Sequence, residues 1–260
     1  MEHVEQNLLK EGERIDDLQV KGLRIIQNPS GFCFGMDAVL VSNFARVKKG
    51  AKVVDLGTGT GIIPILVAGK SDAHSITGIE IQESVVNMAQ RSVKLNGLEE
   101  RIHIIHDTLC NVENHVKVNT VDVVISNPPY FAKGGAIVNP GSSKAVSRHE
   151  IHCTLEDVIQ SSARLLKPGG VMYMVHRPHR LVDIMCTCRK FKLEPKLIQF
   201  VHPYSDAKPN MLLIKCVKGS GSELKYLQPL FVYHKDGSYT KELLAMYENQ
   251  SIDPIEKGRE

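Results

Sequence analysis

Tryptophan is absent, and aromatic residues make up only 5% of the chain. No apolar run approaches the roughly 20 residues that a membrane helix needs. The longest, Gly61 to Gly69 (GIIPILVAG), is short and holds a proline. No membrane partner is expected. None of the six cysteines forms a C-x-x-C pair, and none of the eleven histidines sits in H-E-x-x-H, so the familiar zinc and redox motifs are missing and no metal is expected. Cys186 and Cys188 stand two apart, which on a helix points them in different directions. Reduced, mostly buried thiols are expected. The opening Met1-Glu2-His3-Val4-Glu5 is acidic and polar, unlike a signal or transit peptide, and the expectation is a cytoplasmic protein.

What is present is an ordinary globular balance, 42% hydrophobic and 23% charged in 260 residues, enough for a full core. The net charge of +3 says little by itself. Its distribution says more. Residues 1–20 hold six acids and two bases, whereas residues 187–218 hold seven bases and two acids. Such a basic sector can face phosphates or be a solvated lysine surface.

Residues 1–30 read as an extended lead-in that ends at the turn signal Asn28-Pro29-Ser30-Gly31. Asp37 is expected to cap a helix from Ala38 to Val47. From Lys48 the pattern repeats as strand, glycine turn, helix. Strands are expected at 53–56, 75–81, 102–106, 121–126, 171–175, 196–201 and 211–217, with helices near 62–68, 84–95, 155–166 and 180–191. Continuous apolar strands that alternate with helices mean a parallel sheet covered on both faces. The last two strands are separated by too few residues for a crossover helix, so they should pair as an antiparallel hairpin. The expected class is α/β: Rossmann-like, doubly wound, with a seven-stranded, mostly parallel sheet. The expected division is a lead-in at 1–30, one domain at 31–218 and a weakly patterned extension at 219–260.

The segment Val54-Asp55-Leu56-Gly57-Thr58-Gly59-Thr60-Gly61 joins the first of these strands to its helix. Glycines there bring backbone close to a ligand because no Cβ intervenes. A nicotinamide or flavin site would need G-x-G-x-x-G, with glycine at 62, but that residue is Ile62. The spacing is G-x-G-x-G with Asp55 before it. A carboxylate there suits a cofactor that carries an ammonium group and a sulfonium charge. Glu80, 23 residues after Gly57, ends the next strand, where an acid can grip both ribose hydroxyls. Ile81 follows it, and Asp107 ends the third strand, where it can also serve as a helix cap.

Asn127-Pro128-Pro129-Tyr130 follows the fourth strand, at the carboxyl edge where open α/β sheets bind ligands. The Asn127 carboxamide oxygen and the Pro128 carbonyl can each accept one N–H of a planar amino group. That favours the pyramidal nitrogen needed for attack and stabilises the charge that develops on it. Pro128 has no N–H to oppose the donor, and Tyr130 offers a face for a base. The bland alternative is a proline turn.

The glycine segment resembles motif I of S-adenosylmethionine methyltransferases, and the sheet with its terminal hairpin resembles their class I fold. The resemblance implies Asp55, Gly57, Gly59, Gly61, Glu80, Ile81, Asp107, Asn127 and Asp37 as cofactor residues, with Asp107 accepting from the adenine amino group. N-P-P-Y is shared by adenine-N6, guanine-N2 and glutamine-N5 enzymes. Phe32-Cys33-Phe34-Gly35-Met36-Asp37-Ala38-Val39-Leu40 and Ser147-Arg148-His149-Glu150-Ile151 resemble the tRNA(Val) adenine-N6 methyltransferase family, over roughly residues 22–218. That implies tRNA as partner, acting through Lys133, Lys144 and Arg148, with no DNA expected. Alternatives are a guanine-N2 or glutamine-N5 enzyme, or a non-catalytic RNA-binding protein on this fold. Oligomeric state is not legible.

Overall fold

The computed structural model describes residues 8–31, 33–129 and 153–247. A small antiparallel pair, β1 (Arg14–Asp17) and β2 (Arg24–Gln27), opens the chain. Helix α1 (Met36–Phe44) leads to the main sheet: β3 (Lys52–Leu56), α2 (Ile62–Lys70), β4 (Ser75–Glu80), α3 (Glu83–Leu95), β5 (Ile102–His106), a 3-10 turn (Leu109–Asn114) and β6 (Val121–Ser126). Then follow α4 (Leu155–Leu165), β7 (Leu166–His176), α5 (Leu181–Lys190), β8 (Leu193–His202) and β9 (Met211–Lys218). The C-terminal stretch adds β10 (Lys225–Tyr226), β11 (Leu230–Phe231) and α6 (Lys241–Tyr247).

The spatial order is β10-β8-β9-β7-β6-β3-β4-β5, with β11 also on β8. Strands β3 to β7 run parallel, and β9 is antiparallel to both β7 and β8. All seven expected strands are there, including the terminal hairpin. The direction of strand succession reverses between β3 and β6, which opens a crevice at their carboxyl ends.

The strands are apolar throughout because both faces are covered. Val53 belongs to the core under α1, α2 and α3, while its neighbour Val54 belongs to the core under α4 and α5. In α2, Ile62, Ile63, Ile65, Leu66 and Val67 are all buried, as a helix with no polar face requires. Pro64 is tolerated because it lies in the first turn, where N–H groups lack helical partners anyway. Helix α3 is amphipathic instead, and inserts Val86, Met88, Ala89 and Val93. Each such aliphatic side chain contributes about 1.5–3 kcal/mol when fully buried.

Five expectations need correcting. The thiols are free but not mostly buried: Cys188 and Cys216 are buried, Cys33 and Cys153 half-buried, and Cys110 and Cys186 exposed. Asp37 is not the cap of α1. The cap position is Gly35, with no side-chain cap bond, and Asp37 lies inside the first turn, its Oδ1 accepting from Ala38 N at 3.0 Å. A carboxylate there still favours the positive helix end. The helix stops at Phe44, three residues short of Val47, where Ala45 turns extended. Lys167 to Gly170 does not merely end α4: it starts β7, with a register irregularity opposite Val121 to Val123. Residues after 218 are not a bare tail, since β10 and β11 extend the sheet edge in parallel with β8, and Leu243 of α6 is buried in the core. Two-residue strands leave too short a pattern to read from sequence.

Candidate functional site

The β3–β6 ladder pairs Leu56 with Ser126, and Ser126 Oγ donates to the Leu56 carbonyl at 2.8 Å. The chain therefore leaves both strands side by side. Gly57 begins the glycine loop next to Asn127, which begins N-P-P-Y. Two motifs 70 residues apart are brought to one point by register alone. Asn127 is half-buried, Pro128 buried and Pro129 exposed. Tyr130, Lys133, Lys144 and Arg148 lie outside the described residues.

The glycine loop needs its glycines. Gly57, Gly59 and Gly61 have φ of 78°, 55° and 84°, in the left-handed region that side chains disfavour. Gly57 N and Thr58 N both donate to the Ile79 carbonyl, at 3.0 and 2.9 Å, so the loop is tied to β4. Sequence reasoning missed Gly78. A Cβ there would meet Thr58 Oγ1 at 2.8 Å and Ile104 Cδ1 at 2.9 Å. Only glycine lets Thr58 approach the strand. A glycine inside the strand pattern Ser-Ile-Thr-Gly-Ile-Glu is the signal that marks such an approach.

Glu80 is almost fully buried at the end of β4. Its Oε2 accepts from Gly59 N at 3.0 Å, and its Oε1 accepts from Gln82 N at 3.0 Å. Glu80 thus braces the glycine loop and retains further lone pairs. Beside it Ile81 is 46% exposed, an apolar side chain left in the open at the crevice rim. Asp107 N donates to the Glu80 carbonyl at 3.1 Å, which puts the third expected acid alongside. Asp107 Oδ1 accepts from Thr108 N at 2.7 Å and from Asn111 Nδ2 at 3.0 Å, and Oδ2 meets His115 Nε2 at 2.7 Å. His115, then Asn111, holds its carboxyl below the usual range. The 3-10 turn is fastened by these bonds, so Asp107 has a structural task as well as its position.

Asp55 is the unusual group. It is wholly buried, and among the described residues neither carboxylate oxygen has a hydrogen-bond partner. The hydroxyl oxygens of Thr58 and Thr60 are equally buried and unpartnered among those residues. Burial pushes the Asp55 pKa up to about 7, the nearby Thr58 hydroxyl opposes the rise, and the Glu80 charge adds to it. An orphaned buried carboxylate costs stability unless something supplies donors. A ligand bearing cationic and hydroxyl groups would be one source of them. The residues present therefore fit S-adenosylmethionine: acids at or beside the ends of β3, β4 and β5, a glycine loop and an apolar shelf at Ile81.

Across from N-P-P-Y, at the end of β7, His176 is buried, with Nδ1 accepting from Arg177 N at 2.8 Å. Burial, then the neighbouring Arg180 and His179, lowers its pKa to about 4, so the imidazole is neutral. Sequence reasoning did not single it out, since it falls just past the expected strand at 171–175. Among the described residues no group of three or more His, Cys, Asp or Glu is placed to hold a metal ion.

The model of the methyltransferase small domain matches residues 33–187. The chain belongs to that family. As a class I methyltransferase it uses S-adenosylmethionine. The chain is 27% identical over 180 residues to the tRNA1(Val) (adenine(37)-N6)-methyltransferase of Phocaeicola vulgatus, covering 69% of this chain and 74% of that one. The protein of the same name from Pedobacter heparinus is 24% identical over 220 residues, covering 85% and 91%. In fold, a predicted O-methyltransferase from Agrobacterium tumefaciens superposes with a TM-score of 0.68 at 22% identity, covering 83% of this chain and 97% of that one. A geranyl diphosphate methyltransferase in complex with SAM gives 0.52 at 13% identity, covering 69% and 82%.

Proposed function

We propose that this methyltransferase acts on the N6 amino group of an adenine in tRNA, in the anticodon loop. The observation that carries the reading is the meeting of N-P-P-Y with the glycine loop at the β3–β6 switch point. The names of the relatives from Phocaeicola vulgatus and Pedobacter heparinus support the nucleotide and the RNA.

In this reading Glu80 takes the ribose hydroxyls through the lone pairs that Gly59 and Gln82 leave. Ile81 and the glycine loop shape the nucleoside surface. Asp55, with Gly57, Gly59 and Gly61 exposing the backbone around it, compensates the positive end of the cofactor. Asp107 accepts from the adenine amino group of the cofactor with the roughly one lone pair of four that its three partners do not use. The bound cofactor supplies an electrophilic methyl group. The chain orients the acceptor. The Asn127 side-chain oxygen and the Pro128 carbonyl each take one N–H of the target amine, so its lone pair turns toward the methyl. Pro128 and Pro129 stiffen the backbone that aims them, and Tyr130 stacks the extruded base. Lys133, Lys144 and Arg148 meet the flanking phosphates. No residue need remove a proton before transfer, since positioning and charge stabilisation carry the rate. Asp37, in the first turn of α1, is counted with Asp55, Glu80 and Asp107 as a cofactor residue.

The test is transfer of labelled methyl to tRNA, ribosomal RNA, DNA and a release factor offered in parallel. The reading predicts label in tRNA alone. Label in ribosomal RNA or in release factor overturns the substrate and leaves the amine chemistry standing.

A further inference from the structure

The parallel strands β7 and β8 end on the same edge as β6, so whatever follows them shares the rim of the active site. Two turns do so. The β8–β9 turn carries Tyr204 and Lys208, and the turn after β11 carries Tyr233, Lys235 and Tyr239. Tyr233 is the shared ring of a row. Its centroid lies 5.4 Å from Tyr204 and 5.2 Å from Tyr239, the latter pair stacked with planes 20° apart.

The row is held firmly. Tyr233 N donates to the Pro203 carbonyl at 2.9 Å, Val232 N to the His202 carbonyl at 2.9 Å, and Tyr233 bridges to Tyr239. Arg177, just beyond the end of β7, donates through Nη1 to the Asn210 carbonyl at 3.0 Å and so couples the turn to the strand nearest N-P-P-Y. Yet the outer rings are left in solvent: Tyr204 is 38% exposed and Tyr239 is 44% exposed. Lys208 and Lys235 are exposed on the same turns. Of the two acids there, Asp206 is exposed, while Asp236 is occupied by Ser238 N at 2.9 Å and Ser238 Oγ at 2.6 Å.

Fixed, partly exposed aromatic rings interleaved with cations make a stacking platform for unpaired bases. The distance is suitable. From β6 to β8 is three ladder spacings, and to β11 four, or about 14–19 Å. That is on the order of four to six stacked nucleotides at about 3.4 Å each.

We propose that Tyr204 and Tyr239, on the row centred at Tyr233, form a second docking surface for the RNA substrate. Unpaired bases stack on these rings, and Lys208 and Lys235 meet the adjoining phosphates. This rests on the reading of a structured RNA substrate. The C-terminal strand β11 thereby has a function: it carries half the platform.

The test is steady-state methylation and equilibrium binding of full-length tRNA, with cofactor affinity measured alongside. Tyr204→Ala and Tyr239→Ala should each raise the KM for tRNA roughly 5- to 100-fold, with kcat and cofactor affinity held within about two-fold. Tyr204→Phe and Tyr239→Phe keep the ring and should behave as the parent. Lys208→Ala and Lys235→Ala should each flatten the logarithmic salt dependence of tRNA binding by a little under one unit. Alanine variants that fold, bind cofactor and keep the parent KM overturn the platform while tRNA methylation still stands. If those variants fail to fold, the lysine variants decide, and an unchanged salt slope overturns it. A parent protein that binds no RNA overturns this surface and the proposed substrate together.

Discussion

The two ends of the sheet treat buried polar groups in opposite ways. At the amino end two strong donors are each used several times over. Lys218 Nζ donates to Asn119 Oδ1 and to the carbonyls of Ala163 and Leu166, and Arg101 donates to the carbonyls of Ala68, Ser71 and Ala73. At the carboxyl end Asp55, Thr58 and Thr60 are buried with no partner among the described residues. One end is finished by folding. In the proposed reading the other is completed by the cofactor, and carries the stability cost until it binds.

The comparison is broken most sharply by removing the acceptor of the target amine. Asn127→Ala should lower turnover on the order of 10²-fold or more, while cofactor affinity holds within a few-fold. Kinetics with calorimetry separates the two. If both fall together, Asn127 belongs to the cofactor site instead. Next is Glu80→Ala, which frees Gly59 and, in the proposed reading, leaves the ribose hydroxyls unpaired. Cofactor affinity should fall by about 1–3 kcal/mol, roughly 5- to 150-fold, in a calorimetric titration.

Asp55 gives a prediction of opposite sign. Its folded pKa of about 7 lies above the unfolded value near 3.8. Between those pH values the folded chain keeps a proton that the unfolded chain has lost. Ligand-free stability should therefore fall as pH rises from about 4 to 7 and level off above. Asp55→Asn should abolish that decline and raise the ligand-free Tm at pH 8, while weakening cofactor binding. Thermal melts of both proteins across pH check it, and a parent protein that grows more stable from pH 4 to 7 on account of this group sinks the assignment. The smallest effect belongs to the finished end. Lys218→Ala leaves two backbone carbonyls short of a donor and should lower Tm by a few degrees, with cofactor affinity unchanged.

Much of this contrast was legible in the sequence because it rests on backbone. The G-x-G-x-G spacing, the acid 23 residues after Gly57 and the N-P-P-Y turn are local patterns, and each landed on the carboxyl edge of the expected strand. What was hidden depends on neighbours distant in sequence. That Asp55 is buried beside Thr58 and Glu80 follows from the packed sheet, and that Asp107 is held by His115 and Asn111 follows from the 3-10 turn. His176 falls just past the expected strand, and only the structure shows it buried at the end of β7. Strands β10 and β11 are two residues each, so no periodicity announces them, and without them Tyr233 and Tyr239 have no evident connection to the site.

The most direct test of the account is nucleoside analysis of tRNA after methyl transfer, with the parent protein and with Asn127→Ala. The account predicts N6-methyladenosine in the anticodon loop from the parent and almost none from the variant. A methylated guanine, or undiminished N6-methyladenosine from the variant, would contradict it.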